Sequence, residues 1–246
     1  MTQRTKQTQG DLIYGIHPLI EVLKAKRRKV ISIYTTKPTP KQWKEVELML
    51  PKRPIPIQYV SRDVLHRMAG TADHQGVVAW VQSFPFRSKP FDPKKQPYLL
   101  FLDSIQDDRN LGAILRSAYC TGVQGVVMTS KHSASLNAVA IKASAGLAEH
   151  LEIQLVSNAV IGAKELKSAG YTLYLAMFDG ADATKVEYSE QCCIVIGNEG
   201  TGISKELQSY GVSVTLPQKN PDISYNASVA AGILLFTVSL KKKILS

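Results

Sequence analysis

Residues 194–204 read IVIGNEGTGIS, an apolar run that passes directly into a turn with three glycines and one acid. Glycine-rich turns of this kind let the backbone approach a ligand closely, and many of them hold phosphates. Here Glu199 would put a negative charge where a phosphate would lie, and no Lys-Ser or Lys-Thr pair follows as in a P-loop. The turn therefore predicts a ligand that is neutral or positively charged.

Length and composition describe a globular chain without a membrane segment. The 246 residues are 44% hydrophobic, enough for one large or two modest domains, each with its own core. The longest apolar runs, at 98–102 and 227–235, are far too short to span a bilayer, and the N-terminal residues lack the apolar core of a secretory signal. Three cysteines and five scattered histidines offer neither a disulfide framework nor a metal-ligand spacing. We expect a cytoplasmic, reduced protein without a metal ion.

The positive charge is concentrated in the first part of the chain. Residues 1–97 hold 18 Lys and Arg against 7 Asp and Glu, whereas residues 98–246 hold 12 against 13. The cations cluster at 24–29 and at 37–44. A single cluster is equally compatible with a solvated, solubilising face. Asymmetry over a whole segment more often marks a polyanionic partner, and we expect that partner to be a nucleic acid.

Hydrophobic periodicity divides the chain into two α/β segments. In the first segment we predict helices at 16–25, 41–50 and 61–68 and strands at 30–35, 55–60 and 76–82. Residues 84–97 contain four prolines, which fix φ and remove backbone donors, and we interpret them as a linker. We accordingly place a first domain at 11–83 and a second at 98–246.

The second segment is typical of an α/β domain with a parallel sheet, because short apolar strands alternate with helices. We predict strands at 98–103, 125–129, 151–156, 171–177, 192–196 and 212–216, and helices at 110–120, 135–147, 159–168, 203–209 and 226–243. In such sheets ligands collect at the carboxyl ends of the strands. Three polar loops lie there, at 107–116, 197–202 and 217–226, and we predict the binding site among them.

Polar side chains in two of these loops have both structural and functional interpretations. Arg116 lies on an otherwise apolar, small-residue helix, where an arginine is costly to bury unless it is paired or faces a ligand. It equally fits a side chain that reaches the surface. Ser224 and Asn226 stand just before a nearly all-apolar helix, and taken alone they are explained best as helix caps.

Together the three loops resemble the ordered motifs of the SpoU (TrmH-like) ribose 2′-O-methyltransferases, which belong to the SPOUT superfamily. The matching residues are NLGAILR at 110–116, IGNEGTGIS at 196–204, and LP at 216–217 followed by SYN at 224–226. The resemblance covers about residues 98–243, and the order and spacing of all three motifs make it specific.

The first segment is similar to the RNA-substrate-binding domain of bacterial 23S rRNA guanosine 2′-O-methyltransferases, through YGIHP at 14–18 and DHQGVVAWV at 73–81. The resemblance implies S-adenosylmethionine as methyl donor, a ribose in RNA as acceptor, most directly in large-subunit ribosomal RNA, and a homodimer. It also implies a trefoil knot in the C-terminal part of the catalytic domain, a feature that composition cannot suggest. S-adenosylmethionine carries a sulfonium cation and no phosphate, which agrees with Glu199 in the turn.

The resemblance assigns the leading catalytic role to Arg116, either in proton removal or as a group that binds phosphate or stabilises developing charge. It places four further side chains around Arg116 and the reacting hydroxyl: Asn110, Glu199, Ser224 and Asn226. The residues that would hold the cofactor are Gly197, Asn198, Gly200, Leu216, Tyr225 and Met177.

Three positions depart from the family pattern. Asp108 stands where the family usually has Pro, Tyr225 replaces the usual Leu of the third motif, and Asn220, followed by Pro221, replaces a usual Gly. These changes leave the catalytic side chains in place but alter the pocket wall. Two other functions therefore stay open: a tRNA 2′-O-methyltransferase, whose counterparts usually lack the first domain, and an RNA-binding protein with a decayed cofactor site. A nucleotide-dependent oxidoreductase is disfavoured by Glu199.

Overall fold

A computed structural model describes residues 10–220 and 223–245 of the chain. These residues divide into two compact units. The first comprises the chain up to Pro85 together with Asn137–His150, and the second comprises Phe86–Leu136 together with the chain from Leu151 onward. The N-terminal residues considered for a secretory signal, and Pro221 in the third loop, lie outside the described residues.

Helices and strands alternate along the described chain, in agreement with the periodicity. The strands are β1 (Asp11–Tyr14), β2 (Val30–Thr35), β3 (Ile57–Tyr59), β4 (Val77–Val81), β5 (Tyr98–Leu102), β6 (Gly125–Thr129), β7 (Ile153–Val156), β8 (Thr172–Asp182), β9 (Cys192–Ile196) and β10 (Val212–Thr215). The α-helices are α1 (Ile16–Ala25), α2 (Trp43–Met49), α3 (Arg62–Ala69), α4 (Asp108–Cys120), α5 (Ala138–Ala143), α6 (Ala159–Ala169) and α7 (Ala227–Lys241). Leu147–His150 and Lys205–Tyr210 form 3₁₀ helices.

The first unit is built on a four-stranded mixed sheet in the order β1-β4-β2-β3. β4 pairs antiparallel with β1 and with β2, whereas β2 and β3 run parallel. β1 is an element that the periodicity does not predict. Helix α3 begins after Ser61, whose hydroxyl caps the helix by accepting a hydrogen bond from the backbone N–H of Val64 at 3.4 Å. The smaller N-terminal mixed α/β domain is confirmed.

One segment of the first unit comes from the middle of the sequence that we assigned to the second domain. The helix predicted at 135–147 is shorter, because α5 ends at Ala143. Its cap is Asn137, whose side chain accepts hydrogen bonds from two backbone N–H groups at 2.9 and 3.1 Å. Positive φ angles at Ala145 and Gly146 then turn the chain out of the α-helix and into the 3₁₀ helix.

A buried ion pair fixes this segment within the first unit. Arg28 Nε donates to Glu149 Oε2 at 2.9 Å, and a terminal nitrogen of Arg28 donates to Asp11 Oδ2 at 2.8 Å. Arg28 and Glu149 are both buried, and His150 Nε2 lies 2.7 Å from a carboxylate oxygen of Glu21. Residues 137–150, which lie within the predicted second domain at 98–246, therefore fold with the first unit, where the charged partners of this segment lie.

Residues 84–97 contain no helix or long strand, as their prolines predict, but most of them pack on the second unit. The backbone N–H of Arg87 donates to the carbonyl of Ile153 at 2.7 Å. Phe91 is buried against Gly125, where an added Cβ would lie 2.2 Å from the phenyl ring, so any larger residue there would force the ring to shift. The predicted linker is thus largely part of the second unit, next to β6 and β7.

The second unit contains a six-stranded sheet in the order β10-β8-β9-β5-β6-β7, and every pairing is parallel. β5, β6 and β9 are buried along their full length, which explains why they are continuous apolar runs. The predicted α/β architecture with a parallel C-terminal sheet is confirmed. Because β5 and β9 are neighbours, with Leu102 paired to Ile196, the loops that follow them meet at one edge of the sheet.

Strand β8 extends beyond the predicted strand at 171–177 and carries a large bulge. Leu175 pairs with Ser213, but the next pairing joins Ala181 to Val214. Residues 176–180 therefore lie between the two registers without a strand partner in β10, although Met177 and Gly180 still contact Ser213.

The closing helix α7 is buried on one side only within a single chain. Ala231, Leu234, Leu235 and Val238 are buried. The opposite side exposes four large apolar residues at helical spacing: Val229, Ile233, Phe236 and Leu240. The sequence predicts burial on more than one side of this helix, and the second side is uncovered in one chain. Among the described residues, no helix is both long and apolar enough to cross a membrane.

Candidate active site

A cavity of about 430 Å³ lies at the carboxyl ends of the central strands of the second unit. Its walls come from the end of β9, the turn at 197–202, the β8 bulge, the end of β10 and the start of α7. All six residues predicted to hold a cofactor line it: Gly197, Asn198, Gly200, Leu216, Tyr225 and Met177. Two of the five predicted catalytic residues, Glu199 and Ser224, line it as well.

The glycine-rich turn is a closed hairpin-like loop held by Asn198. The backbone groups of Asn198 and Gly202 exchange hydrogen bonds at 3.0 and 2.9 Å. The Asn198 side chain accepts from the backbone N–H of Gly200 at 2.8 Å and donates to the carbonyl of Ser104 at 2.8 Å. At Gly197 an added Cβ would lie 2.3 Å from Gly202 backbone, so the turn closes only with glycine there. The turn is rigid and is attached to the loop that follows β5.

Glu199 makes the second attachment between these loops. Its carboxylate accepts hydrogen bonds from the backbone N–H groups of Gln106 and Asp107 at 3.1 and 3.2 Å, and from Asn110 Nδ2 at 3.1 Å. Partial burial raises the pKa of Glu199, but these hydrogen bonds, with one from its own backbone, outweigh it and hold the pKa below its ordinary value. These hydrogen bonds tie the ionised carboxylate of Glu199 to the start of α4 and to the loop before it.

Helix α4 begins two residues earlier than predicted. Its N-cap is Asp107, whose carboxylate accepts from the backbone N–H of Asn110 at 2.7 Å, and Asp108 occupies the first helical position. Proline is favoured at that position, and so is a carboxylate, because the helix dipole is positive there. The departure of Asp108 from the family pattern is therefore compatible with the same helix start.

Arg116 is exposed on α4, whose buried side carries Leu111, Ile114 and Leu115 as expected. It forms no hydrogen bond or ion pair with any described residue, and it does not line the cavity of its own chain. Asn110 likewise lies outside the cavity lining and reaches it only through Glu199. The structure thus joins Asn110, Glu199 and the cavity, while the Arg116 side chain stays free to contact a substrate.

In the third loop one predicted site residue caps a helix, and two others line the cavity. Asn226 is the N-cap of α7, since its side chain accepts from the backbone N–H and the hydroxyl of Ser228 at 2.9 and 2.6 Å. This matches the cap interpretation, and Asn226 itself does not line the cavity. Ser224 and Tyr225 do line it, and the Ser224 hydroxyl has no hydrogen-bond partner among the described residues.

The charges of the cavity wall restrict the ligand. Two carboxylates line it, Asp179 and Glu199, and no Lys, Arg or His does so among the described residues. A phosphate would be held poorly in such a wall, whereas a ligand with a positive charge fits it. Within the same described chain, no group of His, Cys, Asp or Glu has the arrangement of a metal site.

Sequence reasoning did not identify the polar residues that support the site at the end of β5. Asp103 is buried, and its carboxylate accepts from the backbone N–H of Ser204 at 2.9 Å and from the Ser104 hydroxyl at 3.1 Å. The Thr129 hydroxyl in turn accepts from the Ser104 backbone N–H at 2.9 Å. The available signal is an acid that directly follows a fully apolar parallel strand, at the edge where ligands bind.

His17 and His74 both lie in the stretches of the first unit that resemble the RNA-substrate-binding domain, but their environments differ. The Nδ1 of His74 accepts from the backbone N–H of Gly76 at 3.0 Å, and burial lowers the pKa of the ring, as do the neighbouring cations Arg62 and His66. His74 is therefore a neutral structural acceptor that shapes the turn before β4. His17 is exposed at the start of α1.

The two basic clusters of the first unit differ in how far acidic residues neutralise their cations. In the cluster at 24–29, Arg28 is buried in its ion pair and Lys24 bridges Glu21 and Glu45 at 3.1 and 3.2 Å. In the cluster at 37–44, Lys41 and Lys44 are exposed and form no ion pair with a described residue. The second cluster therefore offers the less neutralised cations.

Comparison with known proteins gives matches over both units. The SpoU rRNA Methylase family matches residues 97–236, and the RNA 2′-O ribose methyltransferase substrate binding family matches residues 12–87. The Bacillus subtilis protein YacO, assigned to the TrmH family of tRNA/rRNA methyltransferases, is 33% identical over 95% of this chain and 97% of its own. The 23S rRNA (guanosine-2′-O-)-methyltransferase RlmB of Acinetobacter baylyi is 34% identical over 91% of this chain and 94% of its own.

A solved structure shows the same fold along the whole chain. The AdoMet-bound rRNA methyltransferase from Sinorhizobium meliloti has a TM-score of 0.80 at 21% identity, and the match covers 98% of this chain and 90% of that one.

Proposed function

The chain belongs to the SpoU rRNA methylase family and is an S-adenosylmethionine-dependent RNA ribose 2′-O-methyltransferase, and we propose that its acceptor lies in large-subunit ribosomal RNA. The observation that carries the assignment of roles is the set of three hydrogen bonds at Glu199. They tie the turn of the cavity to the start of the helix that bears Arg116. An acceptor in ribosomal RNA also implies a cytoplasmic site of action.

The cavity suits S-adenosylmethionine by size and charge. Its volume of about 430 Å³ is within the range of small-molecule sites, and its described wall has carboxylates but no cationic side chain. We assign the holding of the cofactor to Gly197, Asn198, Gly200, Leu216, Tyr225 and Met177. When bound there, the cofactor supplies a methyl group activated by a sulfonium sulfur.

The protein must orient the ribose hydroxyl and stabilise the charge that develops on its oxygen. Arg116 is exposed and has no described partner, so its guanidinium is available to a phosphate or to the developing oxyanion. Ser224 presents an unpaired hydroxyl to the cavity and is the second candidate for contact with the acceptor. Asn110, Glu199 and Asn226 act as positioning residues through their hydrogen bonds to α4, to the loop before it and to α7.

The first unit favours ribosomal RNA over transfer RNA as the substrate. Residues 12–87 match a substrate-binding family, and the A. baylyi relative that spans both units is a 23S rRNA enzyme by name. We assign RNA capture to the domain predicted at 11–83 and methyl transfer to the domain predicted at 98–246. Lys41 and Lys44 are the capture residues that the structure favours, because they are exposed and not neutralised by a described acid.

We also propose that the protein is a homodimer formed through the second unit. The exposed apolar stripe of α7, at Val229, Ile233, Phe236 and Leu240, supports this, since an apolar helix face of that length is unusual on a monomer surface. Light scattering should give twice the chain mass of 27.0 kDa, and Phe236→Glu should shift it to the monomer. A wild-type monomer at micromolar concentration would contradict the proposal. The trefoil knot remains a prediction from the family.

Methylation mapping tests the proposed substrate. Ribosomal RNA from a strain that lacks the gene is incubated with the purified full chain and S-adenosylmethionine, and new 2′-O-methyl sites are mapped. One new site in large-subunit RNA is expected. Methylation of tRNA alone would make the tRNA alternative correct. RNA binding without calorimetric binding of S-adenosylmethionine would instead identify a decayed cofactor site.

A further inference from the structure

We infer that Phe178 and Tyr225 form a stacking surface for the base of the nucleotide whose ribose is methylated. This inference rests on the proposed function and deepens it, because it adds a determinant of substrate choice to the same site. It concerns two aromatic side chains whose place in the reaction is not explained by methyl transfer itself. Both residues line the cavity.

The cavity has a buried floor and an exposed rim, and the two rings belong to the rim. Floor residues such as Ile196 and Leu234 are 3% and 1% exposed. Phe178 and Tyr225 are 62% and 42% exposed. Because both rings are exposed, an acceptor nucleotide that arrives from solvent would meet them before it reaches the floor. The rim rings are therefore positioned for the acceptor.

Each ring is presented by a local feature of this sequence. Phe178 lies at the middle of the β8 bulge, between the two registers of the β8–β10 pairing, and its exposed side chain lines the cavity. Tyr225 is flanked by Ser224, with its unpaired hydroxyl, and by Asn226, the cap of α7. The family usually has Leu at this position, and the change to Tyr adds an aromatic ring to the cavity wall.

The chemistry of the rim selects a base rather than a phosphate. The described wall of the cavity has no cationic side chain, so it does not attract the RNA backbone. Proteins that read RNA sequence bind unpaired bases, which they splay out and stack on aromatic rings. A ribose that enters a recessed cavity brings its base with it, and an unpaired base can leave its neighbours for this purpose. We therefore assign the acceptor to an unpaired nucleotide of a loop, bulge or junction.

The test uses three variants and two forms of one RNA. The variants are Phe178→Leu, Tyr225→Leu, which restores the usual family residue, and Tyr225→Phe, which keeps the ring. The RNAs are a synthetic fragment that carries the mapped nucleotide, and the same fragment with an abasic ribose at that nucleotide, which retains the 2′-hydroxyl. Single-turnover transfer gives the half-saturating RNA concentration, calorimetry gives the affinity for S-adenosylmethionine, and circular dichroism checks the fold.

Stacking on one ring is worth a factor of about 5 to 150 in affinity. Both Leu variants should therefore raise the half-saturating concentration of the intact RNA by at least about fivefold, and Tyr225→Phe should restore it. The abasic RNA should bind equally weakly to wild type and variants, and the affinity of Phe178→Leu for S-adenosylmethionine should stay within about threefold. Weakened cofactor binding with unchanged RNA saturation would overturn the inference, since the rings would then stack on the cofactor. An equal loss on the abasic RNA would overturn it too. If the wild type methylates no RNA at all, the proposed function itself fails and the inference falls with it.

Discussion

The two units differ in what they do with cationic side chains. The first unit carries most of the net positive charge, yet Arg28 is buried in an ion pair and Lys24 is bound to two acids. The second unit is nearly neutral, yet it keeps Arg116 exposed and unpaired among the described residues. Net charge therefore locates the RNA-binding unit, but the pairing of each cation decides whether it serves stability, capture or chemistry.

The largest expected effect is on stability, at Arg28. Arg28→Ala leaves the buried carboxylate of Glu149 without its partner, which typically costs about 3–5 kcal/mol of unfolding free energy. Lys24→Ala is the matched control, because its partly exposed pairs contribute at most about 1 kcal/mol. Urea unfolding of the full chain measures both. Equal losses for the two variants would show that burial of the pair is unimportant.

The next effect is on catalysis, at Arg116. Arg116→Ala should lower single-turnover methyl transfer by about 10²–10³, the usual cost of removing an electrostatic group, with cofactor affinity unchanged. Arg116→Lys keeps the charge but loses the planar fork, so it should restore little of the rate. The control is Arg109→Ala, an exposed arginine on the same helix with no described partner. A rate within about threefold of wild type for Arg116→Ala would show that Arg116 is a surface residue without a part in methyl transfer.

The sequence predicts much of the fold and of the site, and the features that it does not predict depend on contacts between distant residues. Periodicity predicts the parallel α/β sheet, because strand and helix patterns depend on local spacing. The residues of the cavity lining come instead from the resemblance of the three motifs to the SpoU family. The burial of Arg28 could not be predicted, since Glu149 lies 121 residues away and its segment leaves the second unit. The same segment means that a truncated chain of residues 98–246 would expose a buried carboxylate. The role of Glu199 likewise depends on β9 lying beside β5, which periodicity does not specify.

A smaller effect is expected at Glu199, which we propose positions α4 without entering the reaction. Glu199→Gln replaces one acceptor oxygen with an NH₂ group that faces a backbone or amide N–H donor. Removing hydrogen bonds to a charged group costs about 1.5–3 kcal/mol, so methyl transfer should fall about 10- to 100-fold. Glu199→Ala should be no better than Gln. An unchanged rate in Glu199→Gln would show that the charge of this carboxylate is not needed.

The lowered pKa of Glu199 predicts how the contribution of this carboxylate to stability changes with pH. Because the pKa is lower in the folded protein, the contribution of the carboxylate is complete above its ordinary value of 4.5 and is lost as the pH falls through the folded value. Thermal unfolding of wild type minus Glu199→Gln should therefore give a difference that is constant near neutral pH and shrinks below pH 4.5. A difference that grows towards low pH would contradict the assignment.

The smallest effect is expected at the capture surface. Replacing Lys41 and Lys44 together by Gln should weaken RNA binding several-fold and reduce the slope of log affinity against log salt by roughly one unit for each phosphate that the variant no longer binds. Protein stability should not change, because neither lysine has a described ion-pair partner. Fluorescence titrations at several salt concentrations measure the slope. An unchanged slope would show that the RNA-binding surface lies elsewhere on the first unit.

The division between capture and chemistry is tested most directly by one single-turnover titration of RNA against wild type, the Lys41→Gln/Lys44→Gln variant and Arg116→Ala. The lysine variant should require more RNA for half-saturation and reach the same maximal rate. Arg116→Ala should reach a maximal rate at least about 100-fold lower even at saturating RNA. A lysine variant with a lower maximal rate, or an Arg116→Ala variant that saturating RNA restores to the wild-type rate, would contradict this division.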